Sequence, residues 1–130
     1  MKHHEFYSEV GKLLYAMSDI DGVISKQEKK EMQERIRKDI VPIENKVDDY
    51  GVNAALYAEI EFDFLETEVA DAETAFQSFL DFIEEHRNAI DEQMKNQCIY
   101  LADRVANAYR NTNKKEKGLI DKLKTSLKSL

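Results

Sequence analysis

Punctuation is scarce in this chain. One proline and four glycines are spread over 130 residues, whereas many-stranded sandwiches and barrels consume both residue types at their turns. Long stretches instead place apolar residues three and four apart, the spacing of one helix face. The expectation is a single all-α domain over residues 1–130. It should form a compact bundle of about six or seven helices joined in hairpins, with residues 1–5 as a mobile terminus. A chain of this length buries roughly two thirds of its unfolded surface, enough for a core without covalent staples.

The helices can be placed one by one. Phe6, Val10, Leu13, Leu14 and Met17 share a face, and the pattern breaks from Ser18 to Ile24 around Asp21-Gly22. Ser25 followed by Glu28 forms a capping box: the serine oxygen takes a free amide and the glutamate reaches back. A second helix should run from Lys26 to about Ile40, with Met32, Ile36 and Ile40 inward, and Pro42 stops it. A third covers Val52 to about Glu66, with Leu56, Ile60 and Phe64 inward. Asp71 then caps a fourth that buries Ala72, Phe76, Phe79, Leu80 and Ile83 and ends near His86. The fifth spans Ile90 to Arg110, with Met94, Cys98, Leu101, Val105 and Ala108 on its stripe. Asn113 and Glu116 start a sixth, which carries Ile120, Leu123, Leu127 and Leu130.

Sliding the chain by 88 residues lays Leu13 on Leu101, Ser25 on Asn113, Glu28 on Glu116 and Met32 on Ile120. Two related hairpins explain that match, and so do two unrelated hairpins obeying the same capping rules.

Charge is unevenly distributed. The net charge is −7, which argues against a general nucleic-acid binder. Residues 43–92 hold 15 acidic and two basic residues, a net of −13, and the remaining residues sum to +6. Such a block reads either as solvated helix faces or as a surface for a cation or a basic partner. Glu59, Asp63 and Glu66 sit at i, i+4 and i+7 within it. They stack three like charges on one face, which costs a few tenths of a kcal/mol per pair, roughly, unless a cation or basic partner offsets it. These three are the candidate partner-binding residues. The basic sixth helix, Lys114 to Lys128, reads as an ordinary amphipathic helix, with docking to anionic lipid or nucleic acid as the minor alternative.

The turn between the first two helices carries a second signal. Asp19, Asp21, Gly22, Ile24, Ser25 and Glu28 match positions three, five, six, eight, nine and twelve of an EF-hand loop. Position one is Met17, which has no side-chain oxygen. The competing reading is a helix-turn-helix corner, in which Gly22 supplies a positive φ and Glu28 is committed to the capping box.

The run from Tyr15 to Glu28, Tyr-Ala-Met-Ser-Asp-Ile-Asp-Gly-Val-Ile-Ser-Lys-Gln-Glu, resembles the first hairpin of TerB-like domains. The later copy keeps Asn113 and Glu116 but lacks the Asp-Gly pair. The resemblance implies an all-helical bacterial module associated with tellurite resistance and other stress responses. It also implies binding of metal ions or partner proteins, within larger membrane-linked assemblies. Asp19, Asp21 and Glu28 become the candidate metal ligands, with Ca2+ or Mg2+ as the implied cofactor.

Signals for catalysis and for other cofactors are missing from the sequence. No serine sits in a nucleophile elbow, no glycine-rich loop could cradle phosphate, and no Cys/His set has zinc spacing. No Glu-x-x-His pair supports a di-iron centre. His3 and His4 lie at the terminus, and His86 is placed to meet its helix's last carbonyls. Cys98, the one cysteine, falls on an apolar stripe and suits a reducing cytoplasm. The longest apolar run, Ala54 to Ala58, is far short of the ~18 residues that span a bilayer, and the first residues lack signal-peptide character.

The chain is therefore expected to be a cytoplasmic, non-enzymatic binding module. It would use an acidic surface to bind a divalent cation or a partner protein, without nucleic acid and without a transmembrane segment. Any membrane association would run through partners. The alternative is a metal-independent adaptor that docks a basic partner on the acidic middle helices.

Overall fold

A computed structural model describes residues 1–108 and 114–130. It is all-helical, with six α-helices among the described residues: α1 His3–Asp19, α2 Lys26–Arg35, α3 Leu56–Glu68, α4 Ala72–Glu85, α5 Glu92–Ala106 and α6 Lys114–Lys128. No strand accompanies them there; one isolated bridge pairs Val47 with Asn53.

α1 is the central element, packed against α3, α4 and α5. Its apolar residues recur every three or four positions, so nearly all of Phe6 to Met17 is buried. Gly11 explains how α3 comes so close. A Cβ at that position would lie 2.4 Å from the Ala58 carbonyl oxygen, so the two backbones touch where neither helix has a large side chain. α2 covers α5, and α6 lies against α5 and α4.

The helix ends follow their caps. Ser25 Oγ accepts from the Glu28 amide at 3.0 Å, and Glu28 Oε1 accepts from the Ser25 amide at 3.0 Å, which closes the capping box. Asp71 accepts from the Thr74 amide at 2.9 Å. Asp91 does the same for Met94 at 2.8 Å. That cap moves the start of the fifth helix from the expected Ile90 to Glu92, and its helical hydrogen bonding stops at Ala106. Asn113 and Arg110, expected at the joint between the last two helices, lie outside the described residues.

Two other elements differ from expectation. The expected second helix is α-helical only to Arg35, and Ile36–Ile40 form a π-helical turn closed by Val41 N donating to Ile36 O at 2.9 Å. The wider turn still buries both Ile36 and Ile40. The third helix begins at Leu56 instead of Val52, because residues 41–55 are held as a structured loop. There Asp48 Oδ1 accepts from the amides of Tyr50 and Val52 at 2.8 and 2.9 Å. Asn53 Nδ2 donates to the carbonyls of Val41 and Glu44. The terminus expected to be mobile is helical from His3, whose Nδ1 lies 3.1 Å from Glu44 Oε1.

Candidate functional site

The acidic middle departs most from the sequence reading. On α3, the inward face consists of Ala58, Glu59 and Phe62, continued by Ala54 and Ala55 just before the helix. Ile60 and Phe64, expected in the core, are instead 55% and 56% exposed. The reason is the close seam with α1. Opposite Gly11 the α3 backbone comes close at Ala58 and Glu61, so Ala58 turns inward and the larger apolar pair faces out. Tyr57, Ile60 and Phe64 then share one face at i, i+3 and i+7. Tyr57 is half-buried and donates its hydroxyl to Asp48.

The three candidate partner-binding carboxylates are not a free acidic row. Glu59 is buried and pairs with the guanidinium of Arg37, which donates two bonds to it. Lys29 bridges the other two, donating to Glu66 and lying 3.6 Å from Asp63. Two cations from the second helical segment thus hold the seam with α3 and offset part of the like-charge stacking. α3 itself has five carboxylates and no basic residue. Of these, Glu68 is exposed and Glu61 half-buried, beyond the reach of those two cations.

The α1–α2 corner is a helix-turn-helix joint. Gly22 adopts φ +92°, and its amide donates to Asp19 O at 2.8 Å. Asp21 Oδ1 accepts from the Val23 amide at 3.3 Å. Both oxygens expected late in the loop are committed locally, since Ser25 and Glu28 cap each other. Asp19 lies near Asp21 and also near Asp71 of the α4 cap. Partial burial first, then these two charges, raise its carboxyl above the ordinary range.

Glu28 brings in a residue that sequence reasoning did not assign to the corner. Its carboxyl lies near that of Glu116, and the two residues are only 4% and 5% exposed. Burial is the main cause that raises Glu28, opposed by its bonds to Ser25. Each glutamate is the third residue of its helix, and the 88-residue offset pairs them. The repeat was therefore the available signal. Among the described residues, no group of three or more His, Cys, Asp or Glu side chains is placed to hold a metal ion.

Remaining reactive groups have structural partners. Cys98 is fully buried, and its thiol is pushed up to about 12 by burial. Ser78 accepts from Lys12 at 3.0 Å and donates to Glu9 at 3.3 Å, and Lys12 is itself paired to Glu9 at 2.8 Å. His86 Nδ1 lies 3.0 Å from the Phe82 carbonyl at the end of α4. No described helix is long and apolar enough to cross a membrane.

Compared with family models, curated proteins and solved structures, the chain matches none.

Proposed function

We propose that this chain is a non-enzymatic binding module that docks a basic, amphipathic helical segment of a partner protein on the outer face of α3. The observation that carries the reading is the exposure of Ile60 and Phe64, one turn apart, on a helix with five carboxylates. An apolar pair takes the buried stripe of a docked helix, and acidic residues around it select lysine and arginine flanks. Lys29 and Arg37 offset only part of the charge, so the stretch from Ile43 to Glu92 keeps its acidic excess.

The first-hairpin motif supports placing the module among TerB-like domains in a bacterial stress response, since Gly22 and the Ser25–Glu28 box take the local conformations such a corner needs. The direct experiment uses a fluorescein-labelled amphipathic Leu/Lys helix as probe, with a scrambled peptide of equal charge as control. Preferential binding of the helix, weakened about tenfold or more by Ile60→Ser/Phe64→Ser, supports docking on α3. Equal binding of both peptides, or indifference to the double substitution, overturns it.

A divalent cation at the α1–α2 corner is the second reading, favoured by the contact between Glu28 and Glu116. A cation would sit between these two carboxylates, with Asp19 and Asp21 as outer carboxylates. Ca2+ or Mg2+ should then raise the melting temperature of wild type, and the rise should vanish in Glu28→Gln. No rise at about millimolar metal removes this reading.

A further inference from the structure

A groove lies where α4 begins, beside α6 and the end of α1. It measures about 690 Å³, within the range of small-ligand sites. One wall, from α4, carries Asp71 and Glu73; the opposite wall, from α6, carries Lys115 and Lys122. Among the described residues, neither lysine is within ion-pair distance of either acid. Opposite charges thus face each other across open space without neutralising one another.

Ile20 and Leu119 add apolar side chains to the lining of the groove. Phe76 borders it from the core, only 3% exposed, with the Lys122 ammonium 6.0 Å from the ring centroid. Gly118 also lines it, in the second turn of α6. Glycine is the weakest helix former apart from proline. At Gly118 no neighbour demands it, because an added Cβ would meet nothing within 4 Å. This contrasts with Gly11, whose missing side chain admits a backbone. At Gly118 the missing side chain deepens the groove.

From this arrangement we infer a ligand site for a short zwitterionic peptide with free termini. Its ammonium end would lie at Asp71 and Glu73, its carboxylate end at Lys115 and Lys122, and an apolar side chain over Leu119 and Gly118. The length follows from the walls. Packed helix axes stand about 8–10 Å apart, and two or three extended residues span about 7–10 Å, whereas a single amino acid holds its two charges too close together. Asp71 suits the ammonium end, because the Thr74 amide and hydroxyl both donate to one of its oxygens and hold the carboxyl below its usual range.

The test is a titration of the labelled protein with the tripeptide Ala-Leu-Ala, followed by amide chemical shifts. Saturable shifts at Asp71 to Thr74 and around Gly118 are expected, with a dissociation constant of about millimolar order. Acetylating the amine or amidating the carboxyl should each weaken binding about threefold or more, the loss of one exposed charge contact. Gly118→Leu keeps a good helix former at the position, so the variant should stay folded while binding falls about tenfold. No saturable shift at about 10 mM overturns the inference. So does capped peptide binding as tightly as free peptide, or a folded Gly118→Leu variant that binds like wild type. Substitutions at Ile60 and Phe64 leave this site intact, so it stands or falls separately from docking on α3.

Discussion

α3 and α4 follow each other in the chain, have similar lengths, and both come from the acidic stretch, yet they use their apolar residues in opposite ways. α4 turns Phe76, Phe79 and Ile83 inward and leaves Glu73, Asp81, Glu84 and Glu85 in solvent. α3 turns Ala58, Glu59 and Phe62 inward and leaves Ile60 and Phe64 outside. The difference lies in their neighbours. α4 puts Phe76, Phe79 and Ile83 into the core, whereas α3 meets α1 across Gly11, where backbones nearly touch, with Phe62 edge-on to Tyr15 beside that seam. A helix that packs through small residues has its large ones left over, and on α3 these become a surface.

The sharpest way to break this comparison is to truncate one phenylalanine on each helix. Phe79→Ala should cost about 3–5 kcal/mol in urea unfolding, because the ring is fully buried. Phe64→Ala should stay within about 0.5 kcal/mol of wild type. Comparable losses at both positions would mean that Phe64 belongs to the core.

The seam itself comes next. Gly11→Ala places a methyl group against the Ala58 carbonyl oxygen and the Glu61 Cβ, and overpacking of that kind costs about 1–3 kcal/mol. An unchanged denaturation midpoint would show that α1 and α3 do not approach so closely.

The end of α3 offers a smaller change in the opposite direction. Val69 closes the helix in the left-handed region at φ 52°, and it is 84% exposed. A β-branched residue is strained there. Val69→Gly should therefore stabilise the protein by about 1 kcal/mol, read as a higher urea midpoint. A loss of stability would argue against that cap geometry.

The smallest effect concerns acid. Burial raises Glu28 in the folded state, so folding favours its protonated form, and the ionised form carries a penalty at neutral pH. The penalty disappears as pH falls through the raised value toward the ordinary carboxylate range, so this group makes the protein relatively more stable on mild acidification. Gln can still close the capping box but cannot titrate. Glu28→Gln should therefore gain most at neutral pH, and the gap to wild type should narrow as pH drops, in urea midpoints across a pH series. A gap that widens in acid reverses the sign and the explanation.

Much of the fold was legible because large apolar residues at helical spacing report directly on burial. α1, α4 and α6 follow their stripes, and Ser25, Glu28 and Asp71 mark helix starts through donors that must be satisfied. α3 was misread for the complementary reason. Ala54, Ala55 and Ala58 carry little hydrophobic signal, so Ile60 and Phe64 looked like its core. The Glu59, Asp63 and Glu66 row was visible as a pattern, but its partners were not, since Arg37 and Lys29 are distant in sequence and only the packing of α2 beside α3 brings them close. Glu116 was singled out by the repeat, but that it faces Glu28 depends on how the two hairpins pack.

The central claim is that the outer face of α3 is a docking surface, and chemical-shift mapping tests it most directly. Titrating isotope-labelled protein with the amphipathic Leu/Lys helix should perturb the amides from Tyr57 to Glu68 first and most strongly, with Ile60 and Phe64 at the centre. Perturbation centred on another helix, or spread evenly over every acidic surface, would contradict it.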